Sequence, residues 1–182
     1  MKKLLVLLPF LLAFLLLSGC VLKEIDRGYL VNTIGFSTSD GDVKIFIEAI
    51  SSPDNLDKPS NRVVLTARGS TVQNAFENLS KNLVKPLYFE QLGAAIFEKD
   101  ETDDAVTFLK ELPNVNYGIY LVKTDDLSAL FSADTPNGIL GYDIIGLLKT
   151  NQEKNNRLYN VTRNDFNLPT IILKDDKLEI LK

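Results

Sequence analysis

The sequence predicts an α+β fold: a mixed β-sheet with helices packed on it, in the rough order βββαβαβααββ. Three observations carry that expectation. Short β-rich runs, some with strict period-2 alternation, recur from position 28 to position 181. Between them lie stretches whose apolar residues follow i, i+3, i+4, i+7 spacing. Pro, Gly, Asn and Asp mark the boundaries, and no internal repeat stands out. The helices are expected on one face of the sheet.

Taken in order, residues 28–38 (GYLVNTIGFST) are rich in strand formers. Asp40-Gly41 is a favoured hairpin dipeptide. Beyond it, Val43, Ile45 and Ile47 alternate against Lys44, Phe46 and Glu48, so the first two strands form a hairpin. Residues 51–61, with Pro53 and Pro59, read as a polar loop, and residues 62–69 (RVVLTARG) as a third strand. Ser70 is expected at an N-cap, with Gln73 reaching back to close a capping box. The helix behind it places Val72, Ala75, Phe76, Leu79 and Leu83 on one stripe and stops near Lys85, before Pro86. Residues 87–99 are apolar and β-like at their end. Residues 100–112 form a helix with acids in its first turn, as the helix dipole favours, and Pro113 closes it. A strand over 117–123 precedes a short helix over 124–132, expected to be capped by Thr124. Residues 137–150 read as an apolar helix weakened by Gly141 and Gly146. After the polar stretch 151–157, TIILK and KLEIL are two β-like runs joined by Asp175-Asp176. The expected division is an α+β domain over 28–157 and a short β-like tail over 158–182 that can open a second domain.

Residues 1–19 stand outside that fold. Lys2 and Lys3 precede an uncharged, Leu-rich run that ends at Gly19. The run falls short of the roughly 20 apolar residues of a membrane span. A basic start, an apolar middle and small residues at the end describe an export signal. Leu17-Ser18-Gly19-Cys20 resembles the bacterial lipobox. That resemblance implies cleavage before Cys20, acylation of its thiol, and a lipoprotein held at the outer face of the bacterial membrane by more than one acyl chain, such as palmitate. Residues 20–27 (CVLKEIDR) are then a charged tether. Cys20 is the only cysteine of the chain, so no internal disulfide exists.

Composition narrows the chemistry. The chain has no His and no Trp. Ser-His-Asp and Cys-His catalysis and His-ligated zinc are therefore excluded. Without Lys2 and Lys3 the 20 basic residues become 18 against 24 acidic, a formal charge of −6. Such a balance speaks against nucleic acid and assigns membrane retention to the lipid rather than to charge.

The remaining candidates have structural readings. Asp103-Asp104 and Asp125-Asp126 are acid pairs able to ligate Ca²⁺, but each sits where a helix starts, and no Asp-x-Asp-x-Asp-Gly loop exists. Ser70 with a lysine is a conceivable nucleophile pair, yet capping explains it. GFSTSDG (35–41) is a turn between strands, not a phosphate loop. The Asn78 and Asn160 triplets match glycosylation acceptors, which the lipoprotein leader makes irrelevant. Tyr88, Phe89, Phe97, Tyr117 and Tyr120 are assigned to the core, with a partner groove as the alternative. No catalytic, cofactor-binding or metal-binding residue is assigned, and no enzyme is expected.

Several blocks occur together in order: Cys20, Glu24-Ile25, Gly35, Gly69-Ser70-Thr71, Asn78-Leu79-Ser80 and Leu87-Tyr88-Phe89, followed by AVTFLKEL and YGIYLVK. Together they resemble the Ger(x)C lipoproteins, the C subunits of spore germinant receptors in endospore-forming Firmicutes. Val21-Leu22-Lys23 stands where that family has Trp-Asp, and Glu90-Gln91 where it often has Gly-His. The family runs on through further domains, so the resemblance is to a short or truncated member. It implies a non-catalytic subunit on the outer face of the spore inner membrane. There it would assemble with membrane-integral receptor subunits or relay their signal in nutrient-triggered germination. The alternative is an envelope lipoprotein that binds a small ligand.

Overall fold

The computed structural model describes residues 28–39, 41–51, 61–98, 103–153, 156–160 and 168–181. The export signal, Cys20 and the tether lie outside the described residues.

The first three strands, β1 (Tyr29–Ser39), β2 (Asp42–Ser51) and β3 (Asn61–Gly69), form an antiparallel meander. Ser39 pairs with Asp42, so the turn falls at 40–41, where Gly41 takes φ +82°. Helix α1 (Val72–Lys81) leads to the two-residue β4 (Leu87–Tyr88) and then to β5 (Ala94–Glu98). Helix α2 (Asp103–Glu111), β6 (Tyr120–Thr124), α3 (Leu127–Ser132) and α4 (Leu140–Thr150) follow. The chain ends in the hairpin β7 (Thr170–Lys174) and β8 (Lys177–Leu181). Asp175 and Asp176 both have positive φ, 49° and 58°, as a two-residue type I′ turn requires. The strand order is β3-β2-β1-β5-β6-β7-β8, with β4 beside the start of β1. β1, β5, β6 and β7 run parallel, and antiparallel pairs close both ends, so the sheet is mixed and the fold α+β.

The sequence led us to expect all helices on one face of the sheet, but they cover both. α1 and α2 cover one side of the sheet, burying Val72, Ala75, Phe108 and Leu109 against Ile34, Ile45, Ile47 and Phe97. α3 and α4 cover the other, burying Leu127, Leu130, Leu140 and Ile144 against Phe46, Ala94, Ile96 and Val122. Two-sided cover explains why β5 is an unbroken apolar run, AAIF: every side chain in it is buried. The first core is threaded by aromatic contacts. Phe36 stacks on Phe97 with centroids 5.6 Å apart, and Phe108 meets both Phe36 (6.2 Å) and Phe76 (5.1 Å). Leu168 reaches this core and Ile171 the second one, so β7 packs as part of the same sheet.

Two caps lie away from their expected positions. Thr71, not Ser70, caps α1: its hydroxyl accepts from Asn74 N at 3.1 Å, and Asn74 Oδ1 accepts from Ser70 N at 3.3 Å. Asn74, not Gln73, is therefore the side chain that reaches back, and it meets the N–H of the residue before the cap instead of the cap's own, a variant of the capping box. Asp126, not Thr124, caps α3 by accepting from Ala129 N at 2.8 Å. Thr124 is still the last residue of β6 and takes up Asp126 N instead, at 3.4 Å.

Candidate functional site

Helix α4 starts after Ile139, which offers no side-chain cap. Its first amides would be orphaned. They are met by Glu48, a residue of β2 that lies beneath them. Leu140 N donates to Glu48 Oε1 at 2.9 Å and Gly141 N to Oε2 at 3.2 Å. The Thr33 hydroxyl donates to Oε2 at 2.8 Å, and Arg62 Nε donates to Oε1 at 2.6 Å. Glu48 is completely buried. A buried carboxylate is tolerated only with a matched cation and filled lone pairs, and both conditions hold here.

Arg62 carries the connection further. Its two terminal nitrogens donate to Phe131 O at 2.9 Å and Ala133 O at 3.2 Å, at the end of α3. One ion pair thus fastens the end of α3 and the beginning of α4 to β2 and β3. A second carboxylate does similar work at the other end of α3. Glu98, closing β5, accepts from Leu127 N at 3.1 Å and from the Ser37 hydroxyl. Both helices on this face therefore have N-termini held by acids of the sheet, where the helix dipole favours negative charge.

The floor under α4 is polar and tight. β1 bulges between Val31 and Thr33, placing Asn32 beneath the helix. The Asn32 side chain is buried, and neither its oxygen nor its nitrogen has a partner among the described residues. Gly141 presses on it: a Cβ there would stand 2.1 Å from Asn32 Oδ1 and 2.5 Å from Thr33 Oγ1. Gly141 thus serves close approach, although the sequence presents it only as a helix weakener. This cluster is a clamp. Each Glu48 oxygen already accepts from two donors, so neither is available as a general base.

The sequence candidates are not brought together. Asp103 and Asp104 are exposed in the first turn of α2, and Asp126 is occupied as a cap of α3. Among the described residues no three potential metal ligands cluster. Ser70 contributes its backbone N–H to the α1 cap. Phe89, Phe97 and Tyr120 are core residues, with the Arg157 guanidinium 3.2 Å above the Tyr120 ring; Tyr117 is half exposed. Glu48 escaped the sequence reading because alternation put it on a solvent side. Phe46, on that same side, was the signal that the face is covered.

Compared with known families, residues 22–168 match the one described as the spore germination protein N-terminal domain. No curated protein and no solved structure matches.

Proposed function

The chain belongs to the spore germination protein N-terminal domain family, which gives it a role in spore germination, and we propose that within that role it is the lipid-anchored subunit of a germinant receptor. We read that role as non-catalytic; the family is described by spore germination and not by a reaction. In this reading Cys20 carries the acyl chains. Residues 20–27 tether the domain to the outer face of the spore inner membrane, and the domain assembles with membrane-integral subunits or relays their signal. The observation that carries the proposal is a family match that starts two residues past a lipobox cysteine. Among the described residues no helix is long and apolar enough to cross a membrane; in this reading attachment is through the acyl chains on Cys20.

Cys20→Ala tests the reading by following membrane retention and germination together. The expected result is loss of the chain from the spore membrane fraction and a slowed nutrient response. Full retention of the variant, or an unmodified Cys20 thiol in a mass spectrum of the native protein, would refute the anchor. Co-purification with polytopic subunits from spores tests the assembly. A receptor complex isolated intact without this chain would refute it.

A further inference from the structure

Parallel strands give the sheet two distinguishable ends, and those ends differ in chemistry. The chain enters the fold at Gly28, where Tyr29 N donates to Pro86 O at 2.9 Å. β4 and β1 start side by side at this end. The segment before β6 reaches the same level: Leu158 N bonds Ile119 O and Tyr159 N bonds Tyr117 O, continuing β6 backwards toward the start of β1. Three large apolar or aromatic side chains project from this end: Val84 at 95% exposure, Tyr159 at 64% and Tyr117 at 50%. Val84 and Tyr159 are the two most exposed large hydrophobic residues described.

Charge divides in the same sense. α1 and α2 both run toward the entry end, and each places a lysine in its last turn, Lys81 and Lys110, as the dipole favours. Lys85, Glu90 and Glu111 lie at the same end. The opposite end holds Asp42, Asp103, Asp104, Asp125, Asp126, Asp175 and Asp176 against Lys44, Arg68, Lys174 and Lys177. A domain of net negative charge thus concentrates its acids away from the point where the tether enters.

The tether fixes which end is near the membrane. Seven residues, 21–27, separate Cys20 from Gly28, a distance of eight residue steps along the chain. Whatever path they take, they span at most about 29 Å. The entry end is therefore held within reach of the bilayer to which Cys20 belongs. Tyrosine, with an apolar body and a polar tip, and lysine, with an apolar stem, are the side chains that settle at the boundary between headgroups and acyl chains.

We propose that the entry end of this domain rests on the phospholipid headgroup layer, with Val84, Tyr117 and Tyr159 at the water–lipid boundary and the acidic end directed away. The inference rests on the lipid-anchor reading and adds an orientation to it. The lipid retains the chain, and these side chains set which way the domain stands.

The absence of tryptophan from the chain makes the test direct. Val84→Trp, Tyr159→Trp and, as a control in mid-β3, Val64→Trp each introduce one reporter into the acylated full chain. Each variant is placed in phosphatidylethanolamine–phosphatidylglycerol vesicles bearing a nitroxide at shallow depth. The expected result is quenching at least about threefold stronger for Val84→Trp and Tyr159→Trp than for Val64→Trp, as for side chains at the interfacial belt. Chain that stays on the vesicles while all three variants quench alike overturns the docking and leaves the anchor standing. Chain that leaves the vesicles overturns the anchor and the docking together.

Discussion

Glu48 shows how much one side chain can organise. It has no exposed surface, yet it joins a strand, an arginine and the start of a helix. Removing one member of a buried pair strands the other. Glu48→Ala is therefore expected to destabilise by about 3–5 kcal/mol. Glu48→Gln keeps the shape but sets an amide against donors, and should cost about 1–3 kcal/mol. Urea unfolding of the two variants checks both values, and equal stability of wild type and Glu48→Ala would remove the clamp from the account. The two glycines of α4 make a sharper contrast. Gly146 has nothing within 4 Å of an added Cβ, whereas Gly141 abuts Asn32 and Thr33. Gly146→Ala is expected to stabilise by about 0.5–1 kcal/mol through helix propensity. Gly141→Ala should destabilise by about 1–3 kcal/mol through overpacking. Thermal midpoints, moving roughly 2–4 °C per kcal/mol in a chain of this size, should shift in opposite directions.

At the level of the elements, strand and helix identities were legible because periodicity is local. The residues of 43–48 alternate between faces, Ile45 and Ile47 in one core and Phe46 in the other, though both faces are buried, and the stripe at Val72, Ala75 and Leu79 is buried as expected. Boundaries were less legible where two good caps adjoin. Ser70 and Thr71 are both competent, and the backbone turn after Gly69 selects Thr71. Likewise Thr124 stays in β6 because its backbone pairs with Glu98, leaving Asp126 to cap α3. Substitution separates the true caps from their neighbours. Thr71→Ala and Asp126→Ala should each cost about 1 kcal/mol, as for lost N-cap hydrogen bonds. Ser70→Ala, which keeps its N–H to Asn74, should stay within about 0.5 kcal/mol of wild type. A larger loss at Ser70 than at Thr71 in chemical unfolding would contradict the cap assignment.

For the whole molecule, the question is whether the terminal hairpin unfolds with the rest. Ile171 is fully buried under α3 and α4, and Lys123 pairs with Thr170 across β6 and β7. Ile171→Ala is accordingly expected to lower global stability by about 2–5 kcal/mol, as for a core cavity. Hydrogen exchange should then protect β7 amides as strongly as those of β6. Exchange from β7 at unfolded-chain rates, with β6 still protected, would mark 168–181 as an independent appendage.

The sequence by itself determined the lack of histidine chemistry and the type of nearly every element, and it alone raises the expectation of an export leader and a lipobox at Cys20. All of these are written in adjacent residues or in composition. Only the tertiary structure decided that helices cover both faces of the sheet, and therefore that Glu48 is a buried clamp instead of a solvated surface acid. The reason is that alternation reports which side of a strand a residue occupies, while what lies on that side is set by helices distant in the chain.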